Sequence, residues 1–183
     1  MSVAVPTDPA IRLRGLRRAE YERLVSLGEF EGEHIELLGG ALIEVSPQGT
    51  RHTWVITRLG KLLTLALPHL DVLQEKPFAL DDESEPEPDV AVVDPIAPDQ
   101  RVARAHLLVE VAETSQVLDL GEKASRYAAA GVPIYWVFDL TARQVVVHTN
   151  PGSEGYQTVI SHGPDEQIAV LGVAVELSSL LPE

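Results

Sequence analysis

The run Leu107-Leu108-Val109-Glu110-Val111-Ala112 sets one carboxylate in the middle of an otherwise apolar segment. A short apolar run of this kind reads as a strand buried in a sheet. An ionised carboxylate buried there is costly unless a cation or a set of donors meets it. A second acid, Asp89, opens the apolar run Val90-Ala91-Val92-Val93, directly after the turn-prone Glu85-Pro86-Glu87-Pro88. Paired as neighbouring strands, the two runs bring both carboxylates to one point, the arrangement that holds a hard divalent cation.

The helix expected after the Glu110 strand supplies a third group. Lys123 recurs with Leu120, Tyr127 and Ala130 at spacings of three and four, so its stem shares a face with residues expected to be buried. A lysine on such a face points toward carboxylates or snorkels to water. Phosphodiester hydrolysis needs an activated water and neutralisation of the charge that develops on the phosphorane. Two acids with a metal and one ammonium provide both.

With 183 residues and 45% hydrophobic content, one domain spanning 1–183 is expected, its first ten residues a loosely specified tail. There is no cysteine, which removes disulfides and thiolate metal sites and points to a cytoplasmic protein. Met1 to Gly15 carry no apolar core of signal-peptide type, and no run approaches the roughly 18 apolar residues of a membrane span. The formal net charge of −14 argues against simple coating of nucleic acid, so contact with DNA must be local or metal-assisted. Two basic clusters stand out, Arg12, Arg14, Arg17, Arg18 and Arg23 near the N-terminus, and Arg51, Arg58 and Lys61 in one later helix. Each reads either as a phosphate contact or as a solvated helix face.

In chain order, Leu16 to Leu27 is expected as a helix resting on Leu16, Leu24 and Leu27 and stopped by Gly28. His34 to Leu38 and Ala41 to Val45 flank Gly39-Gly40 as a hairpin, and Ser46-Pro47-Gln48-Gly49 breaks the sheet. A helix from Arg51 to Leu67 places Val55, Leu59, Leu62, Leu63 and Ala66 at core spacing and ends at Pro68. Asp71 to Lys76 and Phe78 to Leu80 read as an edge strand broken at Pro77, Asp81 to Glu87 as a solvated loop, and Asp94 to Ala105 as a connector. Asp119 and Glu122 form a capping-box pattern for a helix from Leu120 to Ala130, closed by Gly131 and Pro133. Ile134 to Phe138 completes a strand–helix–strand crossover, with Tyr135 and Trp136 as core. Strands follow at Gln144 to Thr149, Tyr156 to Ile160 and Gln167 to Val170, with a turn at Asn150-Pro151-Gly152-Ser153 and a last helix at Leu177 to Leu181. No phosphate loop, nucleophile elbow, paired-histidine zinc motif or dinucleotide glycine turn is present.

Across nearly the whole chain the sequence resembles the small bacterial restriction-endonuclease-like family with the PD-(D/E)XK nuclease fold. The resemblance is carried by Ile35-Glu36-Leu37-Leu38-Gly39-Gly40, Ser46-Pro47 with His52, Pro88-Asp89-Val90, Val109-Glu110-Val111, Asp119, Lys123, Tyr127 and Gly131 to Asp139. It implies an α/β, mixed α+β, architecture: a central mixed β-sheet flanked by helices, with an N-terminal helix and β-hairpin. It also implies a Mg²⁺ (or Mn²⁺) site with Asp89 and Glu110 as ligands, DNA as substrate and a homodimer able to cut both strands. Glu36 resembles the extra acid of some such nucleases, which holds a second metal or orients water, and His52 is expected at the cleft mouth. One position departs from the pattern: the usual lysine, two residues after the second acid, is Ala112 here. Lys123 is expected to supply that ammonium from the following helix. The function expected is a metal-dependent DNA endonuclease, a phosphodiester hydrolase. The alternative is a nuclease-fold module that binds or scaffolds without cutting.

Overall fold

In the computed structural model, residues 13–45 and 48–181 are described. The expected tail, Arg12 and the Ser46-Pro47 break lie outside them. Six strands form one mixed sheet in the order β3 (Asp71–Gln74), β4 (Val90–Val93), β5 (Leu107–Ala112), β6 (Ile134–Asp139), β7 (Gln144–Gly152) and β8 (Gly155–His162). Only β5 and β6 run parallel, joined by the crossover that contains the Lys123 helix. The two acid-bearing segments are neighbours as expected, with Val90 opposite Val109.

Alternation along the strands builds two cores. Val90 and Val92 of β4, Leu107, Val109 and Val111 of β5, and Trp136 and Phe138 of β6 face α2 (Thr50–Ala66), which contributes Val55, Ile56, Leu59 and Leu63. Ala91, Val93, Leu108, Ala112, Tyr135 and Val137 face the other way, against α3 (Ala124–Ala129) with Ala124 and Tyr127. All six residues of β5 are buried, so Glu110, between Leu108 and Ala112, must point into the α3 side. A strand covered on both faces leaves its carboxylate little access to water, which makes a local partner obligatory.

The N-terminal helix is α1 (Arg18–Ser26), and Tyr21 is its buried anchor. The expected contact Leu27 is 65% exposed, because the helix is short and touches the body along one narrow line. The hairpin forms as β1 (Ile35–Leu38) and β2 (Ala41–Glu44), a separate two-stranded sheet. Gly39 and Gly40 have φ of 59° and 77°, the left-handed pair that a two-residue turn requires. Gly40 also has no room for a side chain, since a Cβ there would lie 2.9 Å from Gly15 Cα.

Four expectations are corrected. Residues 78–80 form no named strand; the backbone of Phe78 instead donates to Pro86 O and that of Ala79 to Val102 O, so the segment is tied to loops. The acidic stretch is not fully solvated: Ser84, Glu85 and Pro86 are buried because Glu85 N bonds Leu37 O and docks the loop on β1. β7 continues through Asn150 and Pro151 to Gly152, and the turn falls after it. Finally, β9 (Gln167–Val170) pairs with an additional strand, β10 (Val173–Glu176), and the last helix is a short 3-10 turn at Leu177–Ser179.

Candidate active site

Asp89 stands where β4 and β5 separate. Beyond the pair Val90–Val109 the ladder stops, and the next inward amide of β5, Val111 N–H, donates to Asp89 Oδ2 at 2.6 Å. The same oxygen meets His52 Nε2, from the first turn of α2, at 3.0 Å. His52 is thus held against the acid and lines the cavity, largely buried. Its buried Nδ1 has no hydrogen-bond partner among the described residues.

Across the floor, Lys123 is only 3% exposed. Its Nζ lies 3.1 Å from Glu110 Oε1, 3.0 Å from Glu36 Oε2 and 3.9 Å from Asp119 Oδ1. The hydrogen bond to Glu36 runs to Oε1 at 3.4 Å, and among the described residues the buried Oε2 has no hydrogen-bond partner. Tyr127 OH donates to Glu110 Oε1 at 2.9 Å. Glu36 arrives from β1, Glu110 from β5 and Lys123 from the crossover, so three separate elements converge on one ammonium.

Asp119 is the member that sequence reasoning missed, having been read as a helix cap. It lies inside a π-helical segment, Leu118–Lys123, that precedes α3, and its Oδ2 accepts from Ser115 Oγ. A π-turn widens the helix by one residue per turn and re-aims side chains, which is why such turns gather at sites. The available signal was its spacing of four from Lys123.

Complete burial pushes the Glu110 carboxyl well above the ordinary carboxylate range against the pull of Lys123, and the charges of Asp119, Asp89 and Glu36 add to the push. Burial likewise raises Asp119 to about 6. For Lys123 burial works the other way, but Glu110, Glu36 and Asp119 outweigh it and its pKa is raised. The ammonium is thus favoured in its charged form, while burial favours the protonated form of Glu110.

These groups line a cavity of about 860 Å³ whose wall also carries Glu31, Glu33, Glu44, Glu75, Glu87 and Glu113. Such a cavity repels a phosphodiester until cations compensate it. The donor set, hard carboxylate oxygens with a surplus of negative charge, suits Mg²⁺ or Mn²⁺. Both hydrogen bonds to Asp89 fall on Oδ2 and both to Glu110 on Oε1, leaving Oδ1 and Oε2 without donors from the described residues. Among the described residues, however, no three acid or histidine side chains are already grouped as a metal cage. The donor chemistry fits a hard cation, and the ligands must draw together to hold one.

No curated protein matches the chain. A solved structure, a putative nuclease from Anabaena variabilis, superimposes with a TM-score of 0.66 at 16% identity, over 81% of this chain and 90% of the other. At that identity the likeness establishes the fold, a central mixed sheet flanked by helices. Residues 18–182 match the family Uma2, described as "Putative restriction endonuclease". The chain belongs to this restriction-endonuclease-like family.

Proposed function

We propose that this protein is a metal-dependent DNA endonuclease in which Asp89 and Glu110, with Glu36, hold Mg²⁺ or Mn²⁺. Lys123 supplies the fixed positive charge. The observation that carries the reading is the convergence of Glu110, Glu36 and Asp119 on a buried Lys123 Nζ, beside a separately oriented Asp89. When bound, the cation would lower the pKa of water and offset the charge of the scissile phosphate.

The protein's own groups do the rest. Asp89 and Glu110 retain Oδ1 and Oε2 for ligation while their other oxygens are anchored, which limits the rearrangement that binding requires. The Lys123 ammonium, held in its charged form, faces the charge developing on the nonbridging oxygens. Glu36 and Asp119 keep that ammonium in place. Asp119, raised to about 6, is suited to take up a proton released in the site near neutral pH. Cutting both strands of a duplex would call for two copies acting together, and a strictly monomeric mass on DNA would count against that part.

The rival reading is a nuclease-fold binding or scaffold module, favoured by the absence of a ready-made acid cage among the described residues. The two separate on supercoiled plasmid and single-stranded DNA with Mg²⁺, Mn²⁺ or EDTA, alongside Glu110→Gln. Metal-dependent cleavage that vanishes in the folded variant supports the enzyme. No cleavage by the native protein with either metal favours the module, and equal traces in both proteins point to a contaminating nuclease.

A further inference from the structure

The outer face of α2 differs from the rest of this acidic molecule. The helix contains Arg51, Arg58 and Lys61 and no Asp or Glu in a chain of net charge −14. Trp54, Arg58, Lys61 and Leu65 recur at spacings of four, three and four and therefore form one stripe, about 16 Å long at 1.5 Å per residue. All four are exposed, Trp54 at 37% and Leu65 at 72%. Several cations elsewhere are engaged: Arg14 with Glu20, Arg18 and Arg101 with Glu22, Arg126 with Glu122, and Lys123 with its carboxylates. Arg58 instead stacks over the Trp54 ring, 4.5 Å from its centroid, and no carboxylate of the described residues pairs with Arg58 or Lys61. The inner side of the same helix is nailed to the site, because His52 bonds Asp89 and, with Gly49, lines the cavity.

We propose that this stripe is the docking surface for a single strand of nucleic acid, which it delivers to the acidic cavity. The assignment rests on the nuclease reading above and adds the grip that the cavity lacks. Phosphates would lie against Arg58 and Lys61, and an unpaired base would stack at Trp54. This is the pairing of a cationic track with an aromatic platform that single-strand binders use. An exposed Trp beside an Arg favours the single strand, since bases in a duplex are already stacked.

The test measures anisotropy of a labelled oligothymidylate and of a labelled duplex, with Mg²⁺ at low salt, on the full chain carrying Glu110→Gln to prevent turnover. Adding Arg58→Glu and Lys61→Glu should weaken oligothymidylate binding at least tenfold. The milder pair Arg58→Gln and Lys61→Gln should flatten the slope of log affinity against log salt by about 1.4, at roughly 0.7 per phosphate contact. Trp54→Leu should weaken the single strand several-fold more than the duplex. Because Trp136 is fully buried, quenching of tryptophan emission on binding should disappear with Trp54→Leu. Unchanged affinity in the charge variants, absence of binding, or preference for the duplex would overturn the proposal. Cleavage by the native chain that is indifferent to these substitutions would remove the docking surface alone. Binding that depends on them without any cleavage by the native chain would remove the hydrolytic reading alone.

Discussion

Lys123 and Glu110 lie 13 residues apart on different elements, yet Nζ and Oε1 meet at 3.1 Å. Glu110 shares its sheet face with Leu108 and Ala112, and that face is covered by the helix that follows π-helical Leu118–Lys123. A lysine at 112 would start from the strand, whereas Lys123 reaches the same carboxylate from above. The strand position two residues after Glu110 is Ala112, and the ammonium comes from the crossover instead.

Removing that charge should be costly in a pH-dependent way. Lys123→Met would leave Glu36, Glu110 and Asp119 buried without their cation, a loss of about 3–5 kcal/mol at pH 8. At pH 5 Glu110 and Asp119, both raised by burial, can take up protons and the loss should shrink. Urea denaturation at both pH values checks this, and equal losses would refute the charge cluster as the cause.

Glu110→Gln should separate stability from activity. The amide keeps an oxygen for Lys123 and Tyr127, and burial already disfavours the charged form of Glu110. Stability should therefore stay within about 1 kcal/mol of native. Cleavage should fall by roughly a thousandfold, equivalent to about 4 kcal/mol of barrier. A variant that unfolds, or one that cleaves normally, contradicts the expected role.

The metal-free protein should be most stable near pH 5. Asp119 and Glu85, raised mainly by burial to about 6 and about 7, have folded pKa values above their ordinary ones. Their contribution is complete below about pH 4 and is lost as pH rises through 6 to 7. Glu20 and Glu166 act oppositely, being held below the ordinary range by the Arg14 side chain and by Gly163 N–H respectively, so acid removes their contribution. Melting in EDTA should show Tm falling by several degrees from pH 5 to pH 8, and Mg²⁺ or Mn²⁺ should restore more at pH 8 than at pH 5. A Tm that climbs steadily to pH 8 in EDTA would be inconsistent with the buried acids described.

His52 should act on metal affinity through Asp89. Its Nε2 fixes one carboxylate oxygen, so His52→Ala should weaken Mn²⁺ binding by ten- to a hundredfold, the usual effect of losing a partner behind a ligand. His52→Gln, able to donate to the same oxygen, should recover part of it. Calorimetric titration with Mn²⁺ needs no turnover, and identical affinities for all three proteins would rule out the orienting role.

Local patterns were enough for much of the framework. Gly39-Gly40 between alternating runs specified the hairpin because a two-residue turn needs positive φ at both positions. The spacing of Val55, Leu59 and Leu63 specified α2, and the apolar runs around Glu110 and Val137 specified buried strands joined by a crossover. Those runs also made Asp89 and Glu110 visible, since an acid in a buried strand must be answered. The tertiary structure decided what answers it. The partnership of Lys123 with Glu36 depends on the hairpin's position over the crossover, and that of His52 with Asp89 on α2 crossing the open end of the β4–β5 ladder. Asp119 joins the cluster from a π-turn in place of the expected cap, and Glu85 is buried where its backbone pairs with Leu37. Secondary structure follows from periodicity within a few residues, whereas the meeting of side chains from distant elements depends on packing angles and loop paths that no local spacing encodes.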